Sequence, residues 1–150
     1  MKIALACDHG GLALKNRVSA YLEEHGYQAV DFGTYTEDSC DYPDFALLAA
    51  EAVKRGECER GIFVCTTGIG ISIAANKIPG IRCALCSDLL SARLTREHND
   101  ANVLALGGGV IEEGLALDVV KIFLETPFSG LEKHQRRIDK ITAIEKKYMK

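Results

Sequence analysis

The chain has 150 residues, of which 47% are hydrophobic and 26% charged, and its formal net charge is -3 at pH 7. These values are ordinary for one globular domain spanning residues 1–150, and the lack of net positive charge argues against general nucleic-acid binding. No apolar run approaches the roughly 20 residues of a membrane span, and the first residues resemble no signal peptide, so we expect a cytoplasmic protein.

The predicted elements alternate between strands, which are short apolar runs, and helices, which have apolar residues three and four positions apart. In chain order, the strands are 2–7, 27–32, 62–65, 81–86 and 102–106, and the helices are 12–25, 43–53, 71–78, 88–98, 112–125 and 131 to the end. Nearly unbroken apolar strands are typical of a parallel sheet covered on both faces. We predict an α/β fold, a three-layer α/β/α sandwich around a five-stranded parallel Rossmann-like sheet.

Several chemically active residues follow the ends of these predicted strands. Ligands of open parallel sheets bind beyond the carboxyl ends of the strands. The residues at these ends are Asp8, His9 and Gly10, then 65–70, then Ser87 and Asp88, and finally glycines 107–109. We therefore expect a carboxylate, an imidazole, a thiol and a glycine turn at one edge of the sheet.

Cys65 stands where a predicted strand meets the start of a helix, in the segment GIFVCTTGIGISIAANK. The unpaired amides at a helix start favour anions and thiolates. The backbone from 66 to 71 can form a nest for an anion or a developing oxyanion, and the hydroxyls of Thr66 and Thr67 can donate hydrogen bonds. The other interpretation is a buried cysteine at the end of a core strand.

A dinucleotide site is the competing interpretation of Gly68-Ile69-Gly70, because Asp88 stands 20 residues beyond Gly68, where a ribose-binding acid is expected. The third glycine position is Ile73, which argues against a nicotinamide cofactor because a small residue is needed there for close packing. No Gly-Lys-Ser/Thr follows, so the turn is not a Walker loop.

Six cysteines occur, at positions 7, 40, 58, 65, 83 and 86, and we expect them to be reduced. Cys83 and Cys86 form a CxxC pattern, but strand alternation directs their side chains to opposite faces. A metal site or redox pair at this position is therefore excluded, and both are expected to be small buried hydrophobic residues.

The last predicted helix has a basic face and an apolar face. Lys133, Arg137 and Lys140 share one side, with His134 beside Arg137, which indicates either a solvated surface or a phosphate clamp. An incomplete apolar stripe on the other side favours packing on a partner subunit. The stripe consists of Leu131, Ile138, Ile141, Ile144 and Tyr148.

Five motifs in order resemble the ribose-5-phosphate isomerase B group and its galactose-6-phosphate and allose-6-phosphate isomerase relatives. They are CDHGG near the start, DYPDFA at 41–46, CTTGIGISIAANK, REHNDANVLALG and KHQRRIDKI. The resemblance implies aldose-ketose isomerisation of a sugar phosphate through a cis-enediolate, without metal or nucleotide cofactor. It implies D-ribose 5-phosphate as the aldose, a six-carbon sugar phosphate as the alternative, and a non-catalytic sugar-phosphate sensor as the rival of another class.

The same resemblance implies a role for each candidate residue. Cys65 is the base that moves a proton from C2 to C1, Thr67 assists it, and His98 is the acid that opens the sugar ring. The developing negative oxygen is stabilised by the backbone of Thr66, Thr67, Gly68, Ile69 and Gly70. Asp8 and Asn99 hold hydroxyl groups, while His9 and Arg137 bind the phosphate with help from Lys133 and His134.

The family pattern also implies a homodimer or a dimer of dimers, in which a neighbouring subunit completes each site through the C-terminal helix. Three positions depart from this pattern. Thr66 stands where many relatives have glycine, and Gly109 and Lys133 stand where many have arginine. Loss of two guanidinium groups weakens the expected phosphate contacts and leaves the sugar preference open.

Overall fold

The computed structural model describes residues 1–149. Its five strands are β1 (Lys2–Cys7), β2 (Gln28–Asp31), β3 (Arg60–Cys65), β4 (Cys83–Leu85) and β5 (Val103–Gly107). Its six α-helices are α1 (Leu12–Glu24), α2 (Tyr42–Lys54), α3 (Ile69–Ala75), α4 (Leu89–Asn99), α5 (Glu113–Glu125) and α6 (Glu132–Tyr148). A short 3-10 turn, His9–Gly11, joins β1 to α1.

The five strands form one sheet in the order β2-β1-β3-β5-β4, and every pairing is parallel. This arrangement confirms the predicted α/β fold and five-stranded parallel sheet. β3 is the central strand, so Cys65, its last residue, stands in the middle of the carboxyl edge. The loops that follow β1 and β5 flank it on the two sides.

The strand side chains alternate between two apolar clusters, one on each face of the sheet. Ile62 and Val64 of β3 belong to the cluster covered by α1, α4 and α5. Phe63 and Cys65 belong to the cluster covered by α2 and α3. The predicted three layers are therefore confirmed, while α6 packs against α4 rather than on the sheet itself.

The CxxC prediction is confirmed by the same alternation. Cys83 packs with the cluster under α2 and α3, and Cys86 is buried in the cluster under α1, α4 and α5. Burial raises the pKa of Cys86 to about 11 and raises the pKa of Cys83 as well. All six cysteines are free thiols; Cys86 is buried as predicted, whereas Cys83 is only partly buried.

Two element boundaries differ from prediction around β4 and α3. The predicted strand 81–86 is reduced to Cys83–Leu85, and the backbone groups of Cys83 also bond to the side chain of Asn76, at 2.8 and 2.9 Å. The helix predicted at 71–78 begins earlier, at Ile69, because Gly68 turns the chain in a single residue with φ of 78°. No helix in residues 1–149 is long and apolar enough to cross a membrane.

Candidate active site

One group of predicted site residues gathers at the carboxyl edge of the sheet, in the loops after β1 and β3. We call it the thiol cluster, and it consists of Asp8, His9, Cys65, Thr66 and Thr67. Hydrogen bonds join these loops and the one after β5: the amide of Asp8 donates to Val64 O at 3.3 Å, and the amides of Gly108 and Gly109 donate to the carbonyls of Cys65 and Thr66, each at 2.8 Å. The parallel topology therefore produces the convergence that was predicted.

Cys65 is 4% exposed, and its sulfur is held by the turn that follows it. The amide of Gly68 donates to Cys65 Sγ at 3.1 Å. A Cβ on residue 68 would lie 2.8 Å from the carbonyl carbon of Leu106, in addition to requiring a left-handed backbone. Glycine is thus required at 68, and it directs an N–H at the sulfur, a contact that strengthens when the acceptor is an anion.

The two threonines after Cys65 have different surroundings. Thr67 Oγ1 accepts from the amide of Ile69 at 3.2 Å and is exposed at the edge of the turn. Thr66 packs between two glycines: its hydroxyl lies against Gly10, and its methyl carbon is 3.0 Å from the place of a Cβ on Gly109. The side chain of Thr66 therefore fills space that a residue larger than glycine at position 109 would need.

Asp8 serves as the cap of the short turn after β1. It is 6% exposed, and its Oδ1 accepts from the amide of Gly11 at 3.1 Å. This contact fixes the orientation of the Asp8 carboxylate within the thiol cluster. The turn also brings Gly11 against the backbone of Val64, where a Cβ has no room, so the chain crosses the end of β3 at close range.

His9 is exposed, and its ring is oriented by a residue that the sequence did not single out. The amide of Cys40 donates to His9 Nδ1 at 3.3 Å across 31 positions of the chain. Because Nδ1 is the acceptor, the proton of a neutral His9 ring lies on Nε2, which can donate to an anion. Nothing local marks Cys40 in the sequence, since this contact depends on the fold of the irregular segment 33–41.

Lys15 is a second residue that sequence patterns missed, because lysines in amphipathic helices are ordinarily exposed. Its side chain is 1% exposed and donates to Asp31 Oδ2 at 2.6 Å and to Thr34 O at 2.9 Å. The Cys7 thiol donates to the same carbonyl, and burial raises the pKa of Cys7 to about 12. Lys15 thus anchors the start of the segment 33–41 that reaches His9.

The remaining predicted residues form a second group, which we call the histidine cluster: His98, Asn99, Lys133, His134 and Arg137. The ring centroids of His98 and His134 are 4.3 Å apart, with 34° between the ring planes. Lys133 and Arg137 are exposed, and neither pairs with a carboxylate within residues 1–149. Two free cations beside two imidazoles make a site suited to an anion.

The two clusters do not meet within one chain. α4 begins at the carboxyl edge, after β4, and returns to the amino edge before β5. Its 11 residues span about 16 Å at roughly 1.5 Å per residue, so His98 and Asn99 lie near the amino edge. There, Arg82 Nε donates to Asn99 O at 2.8 Å, while Cys65 ends the central strand at the other edge.

The structure argues against a dinucleotide site at Gly68-Ile69-Gly70, but not through Ile73, as the sequence suggested. Ile73 is 57% exposed, so it does not obstruct packing of α3 on the sheet. Instead, Asp88 caps α4 by accepting from the amide and hydroxyl of Ser91, at 2.7 and 2.9 Å. Gly70 lies inside α3, where the ring of Tyr42 packs 2.5 Å from the place of a Cβ. Its lack of a side chain is thus explained by helix packing.

A family model described as Ribose/Galactose Isomerase matches residues 3–141. The chain belongs to this family. The ribose-5-phosphate isomerase B of Escherichia coli is 47% identical over 146 residues, which cover 97% of each chain. A putative sugar phosphate isomerase of Bacillus subtilis is 50% identical, with coverage of 98% of this chain and 99% of the relative.

Solved structures of the family agree with this assignment over nearly the whole chain. The ribose-5-phosphate isomerase B of Clostridium thermocellum superposes with a TM-score of 0.97 at 55% identity and covers 99% of both chains. The Mycoplasma genitalium protein, solved with bound ribulose-5-phosphate, has a TM-score of 0.92 at 41% identity, with 97% and 96% covered. Membership of this family makes the chain an isomerase enzyme of the sugar-phosphate class, as the sequence resemblance predicted.

Proposed function

We propose that the protein interconverts D-ribose 5-phosphate and D-ribulose 5-phosphate. The observation that carries this proposal is the contact between the Gly68 amide and the Cys65 sulfur, at the carboxyl edge of a chain about half identical to ribose-5-phosphate isomerases B. An acidic C–H next to a carbonyl needs a positioned base, and a thiolate held by an N–H donor is suited to that task.

The isomerisation step assigns Cys65 as that base. Its thiolate removes the proton from C2 of the open aldose, and the C2 electrons form a C1–C2 double bond while the carbonyl oxygen becomes negative. The resulting cis-enediolate is stabilised by amides of 66–70 and by Thr67. Transfer of a proton between O1 and O2 and return of the proton from sulfur to C1 give the ketose, so no proton is gained or lost overall.

Ring opening is assigned to the histidine cluster. His98 gives a proton to the ring oxygen O4 as the C1–O4 bond breaks, and the C1 hydroxyl passes its proton to water as the C1=O bond of the aldehyde forms. Asn99 and Asp8 hold hydroxyl groups of the sugar. Thr95 Oγ1 donates to Asn99 Oδ1 at 3.1 Å, so the Asn99 amide nitrogen remains as a donor toward the substrate.

Phosphate binding is assigned to His9, Lys133 and Arg137, with His134 beside them. His9 presents Nε2 because Cys40 occupies Nδ1. The two cations of α6 are free of carboxylate partners among residues 1–149, so a phosphate does not have to compete with an existing ion pair.

The same assignment requires a homodimer, alone or paired into a tetramer, with each site shared between two chains. The separation of Cys65 from His98 supports the homodimer, because a base and an acid at opposite edges of one sheet cannot act on the same small sugar. The cleft beside Thr67 encloses only about 220 Å³, below the usual range for ligand sites. Ile144 and Tyr148 of α6 are 61% and 73% exposed, which favours burial of this helix on a partner.

A six-carbon sugar phosphate is the second candidate, favoured by the packing of Thr66 against Gly109. Absence of an arginine at 109 removes one expected phosphate contact, and the Thr66 methyl group fills the space beside it, so the rim of the thiol cluster differs in shape and charge from the family pattern. A galactose-6-phosphate isomerase subunit of Clostridium acetobutylicum is 40% identical over 138 residues, covering 92% of this chain and 80% of the relative.

The test compares kcat/KM for ribose 5-phosphate, allose 6-phosphate and galactose 6-phosphate, because this ratio measures discrimination between substrates. We expect ribose 5-phosphate to be preferred and the Cys65→Ala variant to be nearly inactive. Preference for a six-carbon sugar would replace the substrate but keep the mechanism. Undiminished turnover by Cys65→Ala would remove the assigned base, and tight sugar-phosphate binding without turnover by the wild type would favour a sensor.

A further inference from the structure

Ser129 lies in the loop between α5 and α6, and its side chain and amide connect three parts of the chain. Its hydroxyl is 2.6 Å from His134 Nδ1 and also accepts from the amide of Leu131 at 3.2 Å. Its own amide donates to the carbonyl of Glu97 at 3.1 Å. One serine therefore ties the start of α6 to the last turn of α4, which carries His98.

The hydrogen bonds of Ser129 favour one tautomer of His134. A hydroxyl has one proton to donate, and within residues 1–149 His134 Nδ1 is the acceptor that lies within reach of it, while one lone pair of the same oxygen accepts from the amide of Leu131. Donation of that proton to His134 Nδ1 leaves the proton of the neutral ring on Nε2. The ring is then fixed both in rotation and in tautomer, because it is 6% exposed and has no freedom to turn toward water.

The charges around His134 keep its ring neutral. Burial lowers its pKa, and His98, Lys133 and Arg137 lower it further, while Glu97 alone acts in the opposite direction. His98 is exposed, and its ring centroid lies 4.3 Å from that of His134 with 34° between the two ring planes. Two imidazoles in contact repel each other when both are charged, so a neutral His134 ring adds no repulsion against a proton carried by its neighbour.

We propose that Ser129 and His134 are positioning residues that hold His98 as the proton donor for ring opening, with Ser129 acting through His134. This inference rests on the proposed function. His134 then contributes by supporting the face of His98 rather than mainly by touching the phosphate.

The activity test separates ring opening from isomerisation with two substrates. Ribose 5-phosphate must be opened, whereas 4-deoxyribose 5-phosphate lacks the hydroxyl that closes the ring and is always open. We expect Ser129→Ala to lower kcat/KM for ribose 5-phosphate about tenfold and to change that for the deoxy substrate little. The loss is smaller than the roughly 100-fold or greater effect of removing a general acid, because His98 itself remains. Ser129→Thr keeps the hydroxyl and should retain the wild-type ratio, and Gln135→Ala is the matched control on the same turn of α6.

Equal loss on both substrates would overturn the inference, because a merely structural role affects both, and an unchanged kcat/KM for ribose 5-phosphate would overturn it as well. Failure of the wild type to isomerise ribose 5-phosphate would instead count against the proposed function. A second measurement does not depend on activity: nitrogen NMR of the histidine rings should show His134 as the Nε2–H tautomer, and Ser129→Ala should lose this preference. An Nδ1–H tautomer in the wild type would overturn the inference.

Discussion

The hydroxyl of Thr66 lies where a β-carbon on residue 10 would stand, so Gly10 and Thr66 occupy one space between the loops after β1 and β3. The backbone of Gly10 is not left-handed, and only the contact with Thr66 excludes a larger residue. This relationship separates a steric requirement from a conformational one, and it can be tested by changing both residues.

Gly10→Ala should destabilise the protein by about 1–3 kcal/mol and disturb the thiol cluster, since an overpacked methyl group must displace Thr66. In Gly10→Ala/Thr66→Gly the loss should be largely recovered, because the nearest remaining atom is the Cα of residue 66 at 3.4 Å, an ordinary contact. Urea unfolding of the wild type, both single variants and the double variant measures the effect. Additive losses in the double variant would contradict the explanation.

Complementation between inactive chains tests whether each site is shared. Cys65→Ala lacks the thiol at one edge, and His98→Asn lacks the imidazole at the other. After the two proteins are refolded together, mixed dimers contain one intact site, and about a quarter of wild-type activity should return if pairing is random and the dimer symmetric. A mixture of Cys65→Ala with Cys65→Ser is the control and should stay inactive. No recovery in the first mixture would place the base and the acid in the same chain.

The buried ion pair of Lys15 and Asp31 should respond differently to one and to two substitutions. Lys15→Met leaves Asp31 Oδ2 without its donor and Thr34 O with only the Cys7 thiol, and it should lower the free energy of unfolding by about 3 kcal/mol, since the Asp31 carboxylate remains partly exposed. Lys15→Met/Asp31→Asn removes the unpaired charge and should be more stable than the single variant. Denaturant unfolding compares them, and equal stability would show that the charge pair is unimportant.

Thiol reactivity should follow burial and pKa. At pH 8 almost none of the Cys7 and Cys86 thiols are ionised, because burial raises their pKa values to about 12 and about 11. Alkylation of the folded protein, followed by mass spectrometry, should therefore label the partly exposed Cys40 before either of them. Cys40→Ser should lose this first label. Labelling of Cys7 or Cys86 as fast as Cys40 would contradict the burial of these side chains.

Much of the fold follows from local patterns in the sequence. The strand that ends at Cys65 is a short apolar run, and parallel pairing carries its last residue to the same edge as Asp8 and His9. The shared position of these residues could therefore be predicted without knowledge of the strand order. The position of Asp88 before α4 was likewise readable as a cap, because its carboxylate accepts from an amide three residues on.

The missed features depend on contacts between distant parts of the chain. Lys15 has the pattern of an exposed helical lysine, and only the path of segment 33–41 buries it beside Asp31. Cys40 and Ser129 lie in loops, where no periodicity marks a residue that orients a histidine. The separation of His98 from Cys65 was also not predicted, since it depends on the direction in which α4 crosses the sheet.

Three consecutive glycines would ordinarily make 107–109 a flexible joint. Here the amides of Gly108 and Gly109 donate to the carbonyls of Cys65 and Thr66, so the pairing of β3 with β5 continues beyond the strands themselves. Hydrogen exchange at these two amides should then be as slow as in the core of the sheet and should need cooperative opening of the central strands. Slow exchange at both amides would mean that motion admitting or releasing a ligand comes from elsewhere in the chain.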